Sequence, residues 1–463
     1  MQATAVKPAT DAAIDAGVIA KYAARPTPRY TSYPTAPHFE AGFDEADYRR
    51  WLSAADPAQP ISFYLHVPFC KQMCWYCGCN MKLAARYAPV ASYVETLLQE
   101  IDLAADALPA RMTIDHLHWG GGTPTALAPD DFSRIMARVR ARFDFTPAAE
   151  IAMESDPRTL SDDMIARMGA EGVTRASFGV QEFDEKVQAA INRIQPPEMV
   201  ADVVTKLRAA GISGINFDLI YGLPHQTVES LTHTIDLCRA MRPDRVALFG
   251  YAHVPWMAKN QRMIETEALP DGPARAAQAS SAAAALSAAG YQMIGIDHYA
   301  LPGDSLAVAA NEGRLHRNFQ GYTDDGAETL IGVGATSIGR TRAGHVQNIA
   351  ETGAWARAVQ AGKLPVAKGR AMSDADRLRG WVIERIMCDG AVDCGEAARR
   401  FGAEPDWCAA PLAALAPLER DGVVSRRDGA ITLNPAARPL ARVVAAAFDA
   451  YLSEGKGRHA ATV

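Results

Sequence analysis

Long apolar runs are missing from this 463-residue chain: nowhere do 18 apolar residues follow one another, so no segment reads as a transmembrane helix. Basic charge is not in excess either. The 47 Lys and Arg residues stand against 53 Asp and Glu, a formal net charge of −6, which excludes a global positive field drawing the chain to nucleic acid. The opening residues, MQATAVKPATDAAIDAG, have no basic start, apolar stretch or small-residue cleavage site, and the expectation is a cytoplasmic protein with no membrane partner. No repeat of the solenoid kind is present. No amphipathic helix is left spare for assembly, so a monomer is expected.

What the chain does have is enough apolar residue, 49%, for a sizeable core. Its eight cysteines are unevenly spread: Cys70, Cys74, Cys77 and Cys79 fall together, while Cys238, Cys388, Cys394 and Cys408 are scattered. A tight group in a long chain points to a metal site or redox chemistry, not to a disulfide scaffold.

Three regions are expected: an N-terminal arm (1–60), a barrel with an extension (61–364) and a C-terminal domain (365–463). Prolines hold the segment RPTPRYTSYPTAPH (25–38) extended. From residue 61, short apolar runs read as buried strands: ISFYLHV (61–67), DHLHW (115–119), EIAMES (150–155), RASFGV (175–180), GINFDLIYG (214–222) and RVALFGY (245–251). Helical stretches at 89–108, 130–143, 162–172, 198–211 and 227–241 separate them. Alternation of this kind builds an α/β fold with a parallel sheet and crossover helices. Six units make a partial or six-unit (β/α) barrel, with ligands at the strands' C-terminal ends; a doubly wound sheet differs only in strand order, which the sequence does not display. Beyond it come a helix at 273–290, a strand at 291–299 and a polar, glycine-bearing stretch at 311–339. The C-terminal region reads as small, mostly helical and winged-helix-like: helices at 373–387, 394–401 and 412–421, the hairpin GVVSRRDGAITL, and a final helix through Tyr451.

Cys70-Lys-Gln-Met-Cys74-Trp-Tyr-Cys77 is a C-x3-C-x2-C triplet directly after the first strand. Three close thiolates can hold three irons of a [4Fe–4S] cube and leave the fourth open. A structural zinc site closes with a second pair of ligands, and none lies near. Cys79 could complete the coordination or point elsewhere. Gly120-Gly121-Gly122-Thr123-Pro124 follows the second strand and lets backbone and ligand approach closely. Glu154, Gln181 and Asp218 recur at the third, fourth and fifth strands, a placement that suits a shared polar site at one end of a barrel. His66, His116, His118, His298 and His316 lie near strand ends or motifs, and none is assigned a catalytic role.

The segment YLHVPFCKQMCWYCGCN resembles the radical S-adenosylmethionine (SAM) superfamily. Together with PRYTSYPTA upstream, Cys79, and HRNFQGY (316–322) downstream, it is similar to the oxygen-independent coproporphyrinogen III oxidase family. The resemblance implies a radical SAM barrel with a [4Fe–4S] cluster on Cys70, Cys74 and Cys77, and two SAM molecules in one site. By motif, Tyr64, Gly121, Glu154 and Ile338 match the positions for the cluster-bound SAM. Tyr76, Gly122, Thr123, Gln181, Arg193, Asp218 and Ala252 match those for the second, and Phe319 and Gln320 match positions near the cofactor. The implied reaction is oxidative decarboxylation of two propionates of coproporphyrinogen III to the vinyl groups of protoporphyrinogen IX, in haem biosynthesis. It needs an unidentified one-electron donor and an electron acceptor. Two other readings share these features: a related haem chaperone, which typically lacks the Cys79 and NFQGY equivalents, and a non-catalytic iron–sulfur electron carrier, which leaves the barrel unexplained.

Overall fold

The computed structural model describes residues 14–23 and 25–452, which fall into two compact units. One comprises Glu40–Tyr291 and Ala327–Gly369; the other comprises the described residues up to Phe39, Gln292–Gly326 and those from Arg370 onward. The first thirteen residues of the expected arm lie outside the described residues.

The larger unit is built on six parallel strands: β1 (Ile61–Val67), β2 (Thr113–Gly121), β3 (Asp144–Ser155), β4 (Arg175–Gln181), β5 (Gly214–Tyr221) and β6 (Arg245–Gly250). They hydrogen-bond in sequential order. A doubly wound sheet reverses its order at a switch point; this one does not, and the barrel-type arrangement stands. No pairing of β1 with β6 closes the sheet among the described residues.

Six helices connect these strands: α1 (Ala88–Asp106), α2 (Pro129–Arg142), α3 (Asp162–Ala170), α4 (Glu185–Ala190), α5 (Pro197–Ala209) and α6 (Val228–Met241). Their starts follow local chemistry. Pro129 and Pro197 occupy the first turn, where no N–H is needed. The Ser161 and Asp184 side chains accept from the backbone N–H groups of Met164 and Val187. Thr227 and Ser230 cap each other reciprocally at α6. The short α4, inside the segment before α5, was not expected.

β1 is almost wholly buried, with Tyr64 its one half-buried residue, so its sequence shows no alternation. Each fully buried Ile, Leu or Phe in such a strand contributes about 1.5–3 kcal/mol. The other edge of β1 carries a strand the sequence reading missed. β7 (Leu330–Val333) pairs parallel with β1, and β8 (Ile338–Thr341) and β9 (Gly344–Asn348) continue the sheet antiparallel. Behind this edge, Glu100 of α1 is 1% exposed. Its carboxylate accepts from the backbone of Gly334 (2.8 Å), from Asn348 Nδ2 (2.6 Å) and from Trp355 Nε1 (2.8 Å).

In the smaller unit, a helix (Asp374–Asp389) leads into strand Ala391–Asp393, helix Cys394–Phe401, two helical turns and the hairpin Val424–Arg427/Ala430–Leu433. Asp428 and Gly429 both have positive φ, as a tight two-residue hairpin turn demands. The order is that of a winged helix. Three details differ from expectation. The helix expected at 412–421 is two, Ala409–Ala414 and Ala416–Arg420, because Pro417 has no N–H to continue the ladder. The final helix stops at Phe448 after alternating 3₁₀ and α turns around Pro439. Residues 291–299 are not one strand but lead through Gln292–Ile294 into an antiparallel partner, His298–Ala300, turned at Gly295. Tyr22, Tyr30 and Tyr33, from the N-terminal segment, are buried in this unit's core.

Candidate active site

The strand register collects the expected residues at the C-terminal end of the sheet. Tyr64 lies opposite His118 on one side and Gly332 on the other. Glu154 is opposite Ser177, and Gly179 is opposite Asp218. The Tyr64 and His118 rings stack with centroids 5.9 Å apart. His118 Nε2 lies 3.2 Å from Glu154 Oε1, and the Gly121 N–H donates to Glu154 Oε2 at 3.2 Å. The carboxylate is thereby aimed along the strand ends. Ser177 Oγ donates to Asp218 Oδ2 at 3.4 Å. Burial, reinforced by Glu154, pushes the Asp218 carboxyl up to about 7. Burial also pulls the His66 imidazole down to about 4, so this ring is neutral beside the Tyr64 hydroxyl, 3.0 Å away.

Glycines are required where the second strand meets its loop. Gly121 has φ +116, and a Cβ there would sit 2.8 Å from the His66 ring; a Cβ on Gly122 would be 2.7 Å from the Phe69 carbonyl. Thr123 Oγ1 lies 3.3 Å from Cys70 Sγ. Ile338 begins β8, and the Gly332 Cα faces its carbonyl at a distance that a Cβ would close to 2.7 Å. Ala252 follows β6 and accepts at its carbonyl from Gln261 Nε2 at 3.1 Å. Phe319 and Gln320, in the smaller unit, form the turn between strands His316–Asn318 and Gly321–Thr323.

The cysteine loop leaves β1 and is clamped from two directions. Asn192 Nδ2 donates to the Met73 carbonyl at 2.7 Å, and the Trp75 N–H to that of Ile191 at 2.9 Å. From the loop after β6, Asn260 Nδ2 donates to the carbonyls of Cys74, Trp75 and Cys77 at 3.1, 3.2 and 2.8 Å, and Gln261 Nε2 to that of Tyr76 at 2.8 Å. Tyr76 packs with Trp75 on a small core of Val187, Ile191, Leu223, Tyr251 and Ile264.

The sulfurs have their own donors. Cys74 Sγ accepts from Arg158 Nη2 at 3.2 Å and from Arg193 Nη1 at 3.3 Å; Cys77 Sγ accepts from the Cys79 N–H at 3.3 Å. The hydrogen bond from the Cys79 thiol, helped by its backbone N–H, holds the Cys77 thiol down at about 7 against the opposing effect of burial, whereas burial pushes Cys70 up to about 11. Arg158, Asn192, Asn260 and Gln261 were not singled out in the sequence. For Arg158 a signal existed: Asp156 and Arg158 stand just past Glu154 at a strand end, where a cluster of charges is hard to explain by packing.

Residues 64–238 match the radical SAM superfamily, and residues 372–440 match the HemN C-terminal domain. The chain is 51% identical over 448 residues to the oxygen-independent coproporphyrinogen III oxidase of Bradyrhizobium diazoefficiens, covering 97% of this chain and all of that one. It is 38% identical to the Escherichia coli enzyme of the same name, over 92% of this chain and 93% of the relative. The solved structure of the E. coli coproporphyrinogen III oxidase, a radical SAM enzyme, superposes with a TM-score of 0.90 at 37% identity, covering 96% of this chain and all of that one. The chain belongs to the oxygen-independent coproporphyrinogen III oxidase family. This family is part of the radical SAM superfamily, whose members use a [4Fe–4S] cluster and SAM.

Members of this family must hold a cluster and a nucleoside-bearing sulfonium, and the residues present fit both. Among the described residues no three His, Cys, Asp or Glu side chains converge on a point that suits a single metal ion. A cube asks for something else, since each thiolate takes a different iron and the sulfurs stay apart. Hydrogen bonds to cysteine sulfur, as Cys74 and Cys77 receive, are a feature of cluster sites. Gln181 Oε1 is a buried polar atom without a partner in the protein; such an atom is costly unless a ligand meets it. Gln181 also sits at φ +65, a strained conformation that functional sites retain.

Proposed function

We propose that this chain converts two propionates of coproporphyrinogen III to vinyl groups without oxygen, giving protoporphyrinogen IX, and that the loop and strand ends described above are where it does so. The observation that carries the reading is the coincidence of end-to-end similarity to the oxidases with a cysteine triplet whose loop is braced by segments that follow β3, β4 and β6, beside the strand ends that carry Glu154 and Gln181.

In this reading Cys70, Cys74 and Cys77 hold the cluster. Tyr64, Gly121, Glu154 and Ile338 receive the SAM bound to it; Tyr76, Gly122, Thr123, Gln181, Arg193, Asp218 and Ala252 receive a second. When bound, these groups supply one-electron reduction and a radical able to abstract hydrogen from a propionate side chain. The protein's part is to bind, orient and exclude side reactions. Glu154 accepts from ribose hydroxyls, and Gly121 and Gly122 let the ligand reach the backbone. Arg193, held by the Gly179 carbonyl, supplies the positive charge for a ligand carboxylate. Asp218, protonated below about 7, can donate as well as accept. A one-electron donor and an electron acceptor complete the cycle. We further propose that residues 61–364 carry the chemistry and 365–463 form a C-terminal domain, and that the protein acts as a cytoplasmic monomer without nucleic-acid or membrane partners. None of the described helices is long and apolar enough to cross a membrane.

The test is anaerobic reconstitution with iron and sulfide, then incubation with SAM, a reductant and coproporphyrinogen III. Protoporphyrinogen is the expected product. Release of 5′-deoxyadenosine without it would remove the substrate from this reading, and absence of both would remove the radical chemistry.

A further inference from the structure

Arg158 lies four residues beyond Glu154, in the loop that follows β3, and its side chain is 4% exposed. It makes two bonds to one carboxylate, Nη2 to Asp156 Oδ2 at 2.6 Å and Nε to Asp156 Oδ1 at 3.0 Å. The same Nη2 reaches Cys74 Sγ at 3.2 Å. Arg193, 6% exposed, stands on the other side of Asp156 with longer contacts of 3.4 Å to each carboxylate oxygen, and spends its closer bonds on the Gly179 carbonyl. Two buried guanidiniums therefore share one carboxylate, leaving one positive charge in excess. A buried charge without a counter-charge is costly. The nearest group able to supply it is the sulfur that both guanidiniums touch, once it is a thiolate on iron.

The two arginines are not equivalent. Arg193 is loosely held by Asp156 and suits an incoming carboxylate. Arg158 is fixed by a bidentate pair and points its remaining donor capacity at Cys74. We propose that Arg158, oriented by Asp156, is a positioning residue that acts through Cys74 to set the cluster's reduction potential. This rests on the reading that Cys74 holds one of the irons. Reduction adds one negative charge to the cluster; a cation hydrogen-bonded to a ligand sulfur favours the reduced state, so it raises the potential. Asp156 partly offsets that cation and also keeps it in place.

Opposite substitutions then move the potential in opposite directions. The experiment uses full-length protein, reconstituted anaerobically without SAM, its iron content measured, and titrated potentiometrically with the reduced cluster followed by its paramagnetic resonance signal. Arg158→Met should shift the oxidised-to-reduced balance about tenfold toward oxidised, a midpoint about 59 mV more negative for one electron. Asp156→Asn, which keeps an oxygen for Arg158 but removes the negative charge, should shift it positive. A merely structural role for the pair gives no ordered, opposite shifts. An unchanged midpoint in Arg158→Met at full iron content overturns the proposal. Should that variant not retain iron, Asp156→Asn decides: a positive shift supports the assignment, and a zero or negative shift overturns it. Failure of the unsubstituted protein to take up iron would instead sink the cluster reading on which this one rests.

Discussion

The side-chain amide of Asn260 donates to the carbonyl oxygen of Cys77 at 2.8 Å, across 183 residues of chain. The same nitrogen reaches the carbonyls of Cys74 and Trp75, so one side chain from the loop after β6 fixes the curvature of the cysteine loop after β1.

Asn260→Ala should leave the fold intact and loosen this loop. Loss of the shared donor costs about 1–2 kcal/mol, or roughly tenfold in the equilibrium for opening it. Iron release to a chelator from the reconstituted protein should be faster by about that factor. Unchanged release would show that the loop holds its shape without Asn260.

Glu154→Ala should keep iron content near normal and weaken SAM binding, because it removes acceptors for the nucleoside and no iron ligand. Lost bonds to a carboxylate cost about 1.5–3 kcal/mol, roughly ten- to hundredfold in affinity. Calorimetric titration with SAM reads this directly, and unaltered affinity would take Glu154 out of the pocket.

Replacing any of Cys70, Cys74 or Cys77 by Ser should abolish the cluster's visible absorption and SAM cleavage together. Cys79→Ser should behave differently. A fourth thiolate on the open iron would block the SAM amino and carboxylate groups, and in the structure Cys79 acts as a donor to Cys77, through its thiol and its backbone N–H. Normal iron content and SAM binding with reduced protoporphyrinogen yield are expected; loss of iron in this variant would make Cys79 a ligand.

Glu100 gives a pH signature separate from the chemistry. Burial pushes its carboxyl from the ordinary 4.5 up to about 7, only partly opposed by its bonds from Gly334, Trp355 and Asn348. The folded protein therefore keeps this proton where the unfolded chain has lost it. The stabilising share of the protonated group is complete below about 4.5, declines as pH rises toward 7 and is gone above it. Denaturation midpoints followed by tryptophan fluorescence, with Trp355 beside the group, should fall over this range in the unsubstituted protein and lose that part of the slope in Glu100→Gln. Parallel profiles for the two proteins would refute the assignment.

How much of this was legible beforehand depended on range. β1 announced itself because ISFYLHV is apolar throughout, and the triplet, GGTP and MESDP each carry their chemistry within a few residues. β7 did not: LIGV is four residues with a glycine inside, set in a polar stretch, and its identity as a strand comes from pairing with Ser62–Leu65, far away in sequence. Asn260 was invisible for the same reason: it acts on backbone carbonyls in another loop, and neither local pattern nor composition marks it. Arg158 was half-legible: the charges of Asp156 and Arg158 past Glu154 mark a polar strand end, but its partner is a sulfur 84 residues away. The winged-helix order could be read from element order alone, but the break at Pro417 and the irregular turns around Pro439 depended on where single prolines fall.

The burial of Tyr22, Tyr30 and Tyr33 among residues 382–448 has a consequence for biosynthesis. Tyr22 donates to Asp421 Oδ2 at 2.6 Å, Tyr30 to Asp449 Oδ2 at 3.1 Å, and the Ala450 N–H donates to the Tyr33 hydroxyl at 3.0 Å. This stretch thus finds its resting place among residues made 399 to 419 positions later. At about 5–20 residues per second, it waits roughly 20–80 seconds with three tyrosines uncovered, while the parallel strands can assemble in order behind it. Fragments beginning after residue 39 would never close that core, and arrested nascent chains released before residue 450 should be cut by protease near the tyrosines.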